Sequence, residues 1–319
     1  MKRMIILLTF ALAGSINLYS QHVEIPDKAF LKALIESDVD TNGDGLISYT
    51  EAESVTYLSV EGSWTKQEQG EVKSLTGIEA FKNLDTLRCN YNQLTHLDLS
   101  KNTSLTFLRC SRNQLSSLNV TGCDKLKRLE CDKNKLQELE VSSSKALTKL
   151  FCDNNQLTHL DVSQNNSLAL LICWENHLNI LDVSACRSLT RLDCDFNQIE
   201  ILDVSENINL EYLNCRFNQL SGLNVKGCKV LKELQAEGNK LSTLDVSTST
   251  AMEFLNCSKN QLRALDISKN TELKKIHIND NMNLESVCVW TKPFPTPELT
   301  ISTSGSPNVY FTTNGGNCN

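Results

Sequence analysis

Residues 84–104 read LDTLRCNYNQLTHLDLSKNTS, residues 105–125 read LTFLRCSRNQLSSLNVTGCDK, and residues 126–146 read LKRLECDKNKLQELEVSSSKA. The frame restarts at Leu147, Leu168, Leu189, Leu210, Leu231, Met252 and Leu273 without an insertion or deletion. Nine complete copies and a partial tenth share the pattern L-x-x-L-x-C-x-x-N-x-L-x-x-L-D-V-S over residues 84–287. At the start of each copy the period is two, so Leu87 and Cys89 point one way while Thr86, Arg88 and Asn90 point the other. Leu94, Leu97 and Leu99 begin a second apolar row. One such unit cannot bury its own apolar face, so neighbouring units must stack to cover it.

This pattern resembles the leucine-rich-repeat family, whose core is L-x-x-L-x-L-x-x-N/C-x-L. Cys stands here for the third leucine, and the period is at the short end of the family's range. The resemblance implies an α/β-class repeat fold: a right-handed solenoid with a parallel sheet on its concave face, one strand per repeat. Too few residues remain for full helices outside, so turns, 3₁₀ pieces or short strands are expected there. The family generally binds proteins on the concave face. The Asn at the ninth position recurs in all ten copies, from Asn92 to Asn281. Its amide both donates and accepts, which suits backbone groups left open where a strand turns inward.

The chain has 13 cysteines. Cys89, Cys110, Cys131, Cys152, Cys173, Cys194, Cys215 and Cys257 share one core position, with Ala236 filling it once. In-register side chains on adjacent parallel strands lie about 4.8 Å apart, wider than the usual Cβ separation of a disulfide, so free thiols packing as small apolar groups are expected. Cys123, Cys186 and Cys228 share another position near the outer turn, two or three repeats apart. Cys288 and Cys318 flank the C-terminal segment and are the predicted disulfide, closing the open end of the sheet.

Residues 1–20 read as an export signal: Lys2 and Arg3 precede an apolar run over residues 4–13, too short to span a membrane. Cleavage after Ser20 is favoured, and Ala13 fits the small-residue rule as well. Residues 21–83 form an N-terminal cap with helical spacing after Pro26. Residues 40–51, DTNGDGLISYTE, match an EF-hand loop. Asp40, Asn42, Asp44, Ser48 and Glu51 would supply side-chain oxygens to a structural calcium ion, Leu46 its carbonyl, and Gly45 the sharp turn. An Asp/Gly-rich turn that binds nothing is the alternative. Residues 74–84 look like a degenerate opening repeat and resemble the start of internalin-like proteins. Residues 288–319 form a C-terminal cap, read as a β-hairpin around Gly305, Ser306 and Pro307.

The five histidines make no metal pair, and neither a nucleophile elbow nor a phosphate loop occurs, so no enzyme is expected. The net charge of -7 argues against nucleic-acid binding. A concave patch of Phe151, Leu170, Ile172, Trp174, Asp195, Phe196, Tyr212 and Phe217 is the candidate binding site, with Asp153, Asp193, Arg191 and Arg216 interspersed. Packing at strand ends is the alternative for Phe196 and Phe217. The expected molecule is an exported, monomeric binding protein, secreted, periplasmic or on the outer surface, whose partner is another protein. Carbohydrate binding and self-assembly as an adhesion protein are the rival readings.

Overall fold

The computed structural model describes residues 22–62 and 71–313, so the export segment at 1–20 and Cys318 lie outside the described residues. Twelve strands of three residues each make one parallel sheet. The first is Tyr57–Ser59, the next Thr86–Arg88, then one every 21 residues to Lys275–His277, and last Thr300–Ser302. Successive strands pair in strict register, Leu87 with Leu108, Leu108 with Leu129, and Leu129 with Leu150. This is the leucine-rich-repeat solenoid with its sheet on the concave side. Its middle leucines are wholly buried, as period-two alternation requires.

Three residues past each strand the chain turns through the left-handed region. Tyr91, Arg112, Lys133, Asn154, Glu175, Phe196, Phe217, Lys259 and Asp280 all have φ between 48° and 60°, and Gly238 takes the equivalent place at 70°. For non-glycine residues such a conformation costs on the order of 1 kcal/mol or more, so the turn survives because neighbouring turns fix it. Opposite the main sheet, among the described residues, lie only short parallel ladders: His96–Asp98 with Ser117–Asn119, Ile201–Asp203 with Gly222–Asn224, and Ala264–Asp266 with Ser286–Cys288 and Tyr310–Thr312. Among the described residues the only α-helices are α1, Lys28–Glu36, and α2, Tyr49–Ser54, both before the solenoid.

The cysteine column from Cys89 to Cys257 is fully buried and its thiols are free. Burial pushes each of them up, to about 12 at Cys257, so they stay protonated and serve as packing. Cys288 is disulfide-bonded.

Two polar columns hold the turns together. Asn113 donates from Nδ2 to the carbonyls of Cys89 and Cys110 at 3.0 Å, and its Oδ1 accepts from the Leu94 amide at 3.1 Å. Asn155, Asn176, Asn197 and their equivalents repeat this arrangement. Because one group must donate and accept together, only asparagine occurs there. Ten residues further along, the position only donates. Asn165 gives Nδ2 to the carbonyls of Val141 and Ser144, Cys123 offers its thiol to Leu99, and Ser144 its hydroxyl to Cys123. The Oδ1 atoms of Asn102, Asn165, Asn207 and Asn270 find no partner. A donor alone suffices, and the Ser249 hydroxyl in the same column makes no hydrogen bond, so Asn, Cys and Ser interchange, which accounts for Cys123, Cys186 and Cys228.

The C-terminal segment is not a hairpin. Thr300–Ser302 pairs in parallel with Lys275–His277, whereas Tyr310–Thr312 pairs in parallel with Ser286–Cys288 in a different sheet. The two strands are the inner and outer rows of one further solenoid turn. Ile301 continues the column of Ile276, and Ser306 donates to the Ile278 carbonyl at 2.7 Å while accepting from the Asn281 amide at 3.0 Å. A β-rich run on each side of a Gly-Ser-Pro turn suggests a hairpin locally, but the open edge of the preceding turn offers both strands parallel partners instead.

Asn155→Ala strands the Leu136 amide and several buried carbonyls, and is expected to cost about 1–3 kcal/mol. Asn165→Ser retains a donor and should cost less than about 1 kcal/mol. Urea midpoints compare them; equal losses would contradict the division between a donor–acceptor column and a donor-only column.

Candidate functional site

Strand register decides which outward side chains meet. Phe151 lies beside Ile172, and Leu170 lies between Lys149 and Arg191. Trp174 follows on the same turn, its carbonyl accepting from the Asn154 amide at 3.0 Å. Phe151, Leu170, Ile172 and Trp174 therefore form one half-buried apolar block on two adjacent turns at the middle of the sheet. Tyr212 stands one strand beyond Arg191, whose guanidinium lies 3.9 Å from the ring centroid.

Phe196 and Phe217 sit apart from that block, in the left-handed column at the edge. Their rings stack at 4.7 Å with an interplanar angle of 23°. Phe217 in turn covers Gly238, where a Cβ would come within 2.6 Å of the ring. The two rings pack on each other, and Phe196 is still 45% exposed. Asp195 is not a surface residue: it is buried and paired with Arg216 at 2.8 Å.

Register also exposes a feature that reading single repeats misses. Arg88 and Arg128 both lie over the Phe107 ring, at 5.3 and 5.6 Å, and Arg128 also reaches the Phe151 ring at 5.2 Å. These guanidiniums lie over aromatic faces on the N-terminal side of the block. Writing the outward positions in columns would have found them.

The carboxylates beside Trp174 have an unusual environment. Burial first, then the charge of Asp132, pushes Asp153 up to about 6. Burial, followed by the charge of Asp195, likewise raises Asp193, although Asn214 donates to it at 3.0 Å. The ion pairs of this face join Arg88 to Glu61, Arg109 and Arg128 to Glu130, Arg216 to Asp195, and Lys259 to Glu237. Asp132, Asp153 and Asp193 take part in none of the ion pairs among the described residues.

The loop at 40–51 joins α1 to α2. Asp40 accepts from the amides of Gly43, Asp44 and Gly45, Asn42 from Asp44, and Asp44 from Leu46. Gly45, at φ 80°, makes the turn. The Ile47 carbonyl accepts from the Val23 amide at 2.7 Å, and His22 bridges Ser48 in antiparallel fashion, so the chain's own N-terminal segment lies along the loop. The oxygen donors suit a hard cation. Glu51, however, is committed to protein donors: Oε1 accepts from Thr41 and Oε2 from Ser48, closing a capping box on α2. The Ser48 amide is the main cause holding its carboxyl down to about 2. Among the described residues no three His, Cys, Asp or Glu side chains are grouped to hold a metal. Calcium ligation would therefore require Glu51 to rotate away from Thr41 and Ser48.

No protein-family model and no curated protein matches the chain. Among solved structures it is similar to the functional domain of InlJ from Listeria monocytogenes, which includes a cysteine ladder, at 32% identity and a TM-score of 0.73. That match covers 91% of this chain and 64% of the InlJ chain, so this chain spans slightly less than two thirds of its neighbour's length. It is also similar to the Listeria monocytogenes internalin InlF, at 22% identity and TM-score 0.67, with 85% of each chain covered. A plant peptide hormone receptor, RGFR1 in complex with RGF2, matches at 18% identity and TM-score 0.55, over 75% of this chain and 48% of that one. The protein class is thus a leucine-rich-repeat solenoid. Its structural neighbours include bacterial internalin-like proteins, and with InlJ it shares a column of cysteines.

A carboxylate whose folded-state pKa is raised holds its proton in the folded chain when the unfolded chain has lost it. Stability from Asp153 and Asp193 therefore falls as pH rises from about 4 to about 7. Asp153→Asn and Asp193→Asn should each raise Tm at pH 8 by about 2 °C or more, with no gain near pH 4. Thermal melts of variants and wild type at both pH values test this; a loss of stability at pH 8 would show the carboxylates to be structurally required.

Proposed function

We propose that the protein is an exported, monomeric binding protein that docks another protein on the concave face of its solenoid. The observation that carries this reading is the apolar block of Phe151, Leu170, Ile172 and Trp174. It occupies the centre of the sheet face and has charged residues along its rim. Aromatic and aliphatic anchors ringed by polar residues are the composition of binding hot spots. The plant receptor of similar fold is itself in complex with a peptide hormone. Export rests on the basic and apolar segment at 1–20. Among the described residues no helix is long and apolar enough to cross a membrane. Binding, and not catalysis, is proposed because no catalytic constellation is legible in the chain.

Immobilised wild type and Trp174→Ala, presented with surface and secreted fractions of the source cells, provide the test. The variant should lose the retained protein, with binding weakened by about 2 kcal/mol or more. Equal retention by both forms would move the site elsewhere, and elution by soluble glycan would favour a carbohydrate ligand.

The loop at 40–51 is proposed to hold a structural calcium ion that orders the N-terminal cap. Extracellular loops of this kind bind with Kd of about 10⁻⁴–10⁻³ M. Calorimetric titration should give heat in that range for wild type and none for Asp40→Ala. An unchanged Tm between chelator and millimolar calcium would remove the ion from the account.

A further inference from the structure

Stacking in register turns equivalent positions into rows running along the solenoid axis. The residues that open successive strands give Arg128, Lys149, Leu170 and Arg191. The middle row gives Glu130, Phe151, Ile172 and Asp193. Two residues further along each turn, the row reads Asp132, Asp153, Trp174 and Asp195. The face is therefore basic along one edge, apolar at its centre and acidic along the other.

The two edges differ in depth. Lys149 and Arg191 are exposed, whereas Asp153 is only 6% exposed and Asp195 only 4%. Arg216 neutralises Asp195. No cation pairs with Asp153, which accepts from the Asn154 side chain at 3.3 Å, or with Asp193, which accepts from the Asn214 side chain at 3.0 Å and also lies within hydrogen-bonding reach of Asp195. Lys133 stands nearby but forms no ion pair with Asp132 or Asp153. Carboxylates taken out of water without a cation are costly to the folded chain, and an arriving cation recovers that cost. Burial of both carboxylates already favours their protonated forms.

We propose that the concave face receives a protein segment that inserts a lysine or arginine beside Trp174, between Asp153 and Asp193, and lays an acidic residue against Lys149 and Arg191. The inference rests on the concave-face reading above and names the partner's chemistry. A basic side chain fits because its aliphatic stem can lie on the indole while its charge reaches the recess. A neutral sugar would leave the buried charge uncompensated, and a bare metal ion would make no use of the indole.

The probe is fluorescein-labelled octaarginine, with octaglutamate and a neutral glycine–serine octapeptide as comparisons, followed by fluorescence anisotropy at physiological salt. Wild type should bind octaarginine and neither comparison peptide. Asp153→Asn/Asp193→Asn should bind it about tenfold more weakly or worse. Asp161→Asn/Asp182→Asn removes two carboxylates, and at least as much charge, from exposed positions on the opposite side, and should bind as wild type does. Equal weakening in the two double variants would reduce the effect to net charge and overturn the proposal. Absence of octaarginine binding to wild type would overturn it as well. In either case, loss of the captured protein by Trp174→Ala would leave the concave site standing, so the two readings fail separately.

Discussion

The solenoid depends on an amide that faces both ways. At the point where each strand ends, the backbone leaves carbonyls and an N–H group that no strand partner can reach. Asn113 and its equivalents close them within their own turn and across to the turn before, through one side chain. Buried backbone groups left open would each cost on the order of a lost hydrogen bond, once per turn. The leucine and cysteine columns supply apolar burial, but that force has no direction. Register comes from the strand ladder and the asparagines, and the rows of outward side chains exist only because register is exact from turn to turn.

Much of this was legible in the sequence because a repeat displays its constraints many times over. Leu87, Cys89 and Asn92 recur with the period of the fold, so their roles are legible in the repeat itself. The signals that escaped reading are of three kinds. The left-handed turn at Tyr91 and Phe196 is occupied by almost any residue, since the neighbouring turns enforce it and composition carries no mark. The donor-only column is spelled Asn, Cys or Ser, and identity of function there is hidden by variety of letters. The last turn, through Thr300–Ser302 and Tyr310–Thr312, departs from the 21-residue spacing, and the pull of an open sheet edge outweighs the local turn chemistry.

The candidate site was partly legible for a related reason. Phe151, Leu170, Ile172 and Trp174 stand out as departures from a polar habit, and the structure joins them in one block. Phe196 and Phe217 depart from the habit too, but their column lies at the edge and they stack on each other. The depth of Asp153 and Asp195 could not be seen, because burial at that position is set by neighbouring turns and not by the residue's own letter. At the N-terminal cap, the loop letters specify ligand types, while the direction of Glu51 is set by competition from Thr41 and Ser48.

The cysteine column has a consequence for the timing of folding. In an oxidising compartment, thiols on neighbouring turns are safe only while the row is dry and its sulfurs are held in core positions. A chain caught with a turn open would present several thiols close together in sequence and space, ready for crosslinks that the finished fold does not contain. Because a solenoid closes by adding turns to those already formed, each completed turn seals the thiol beneath it. Rapid, processive closure therefore protects the chain chemically as well as conformationally, and the growing end is where oxidants compete with folding.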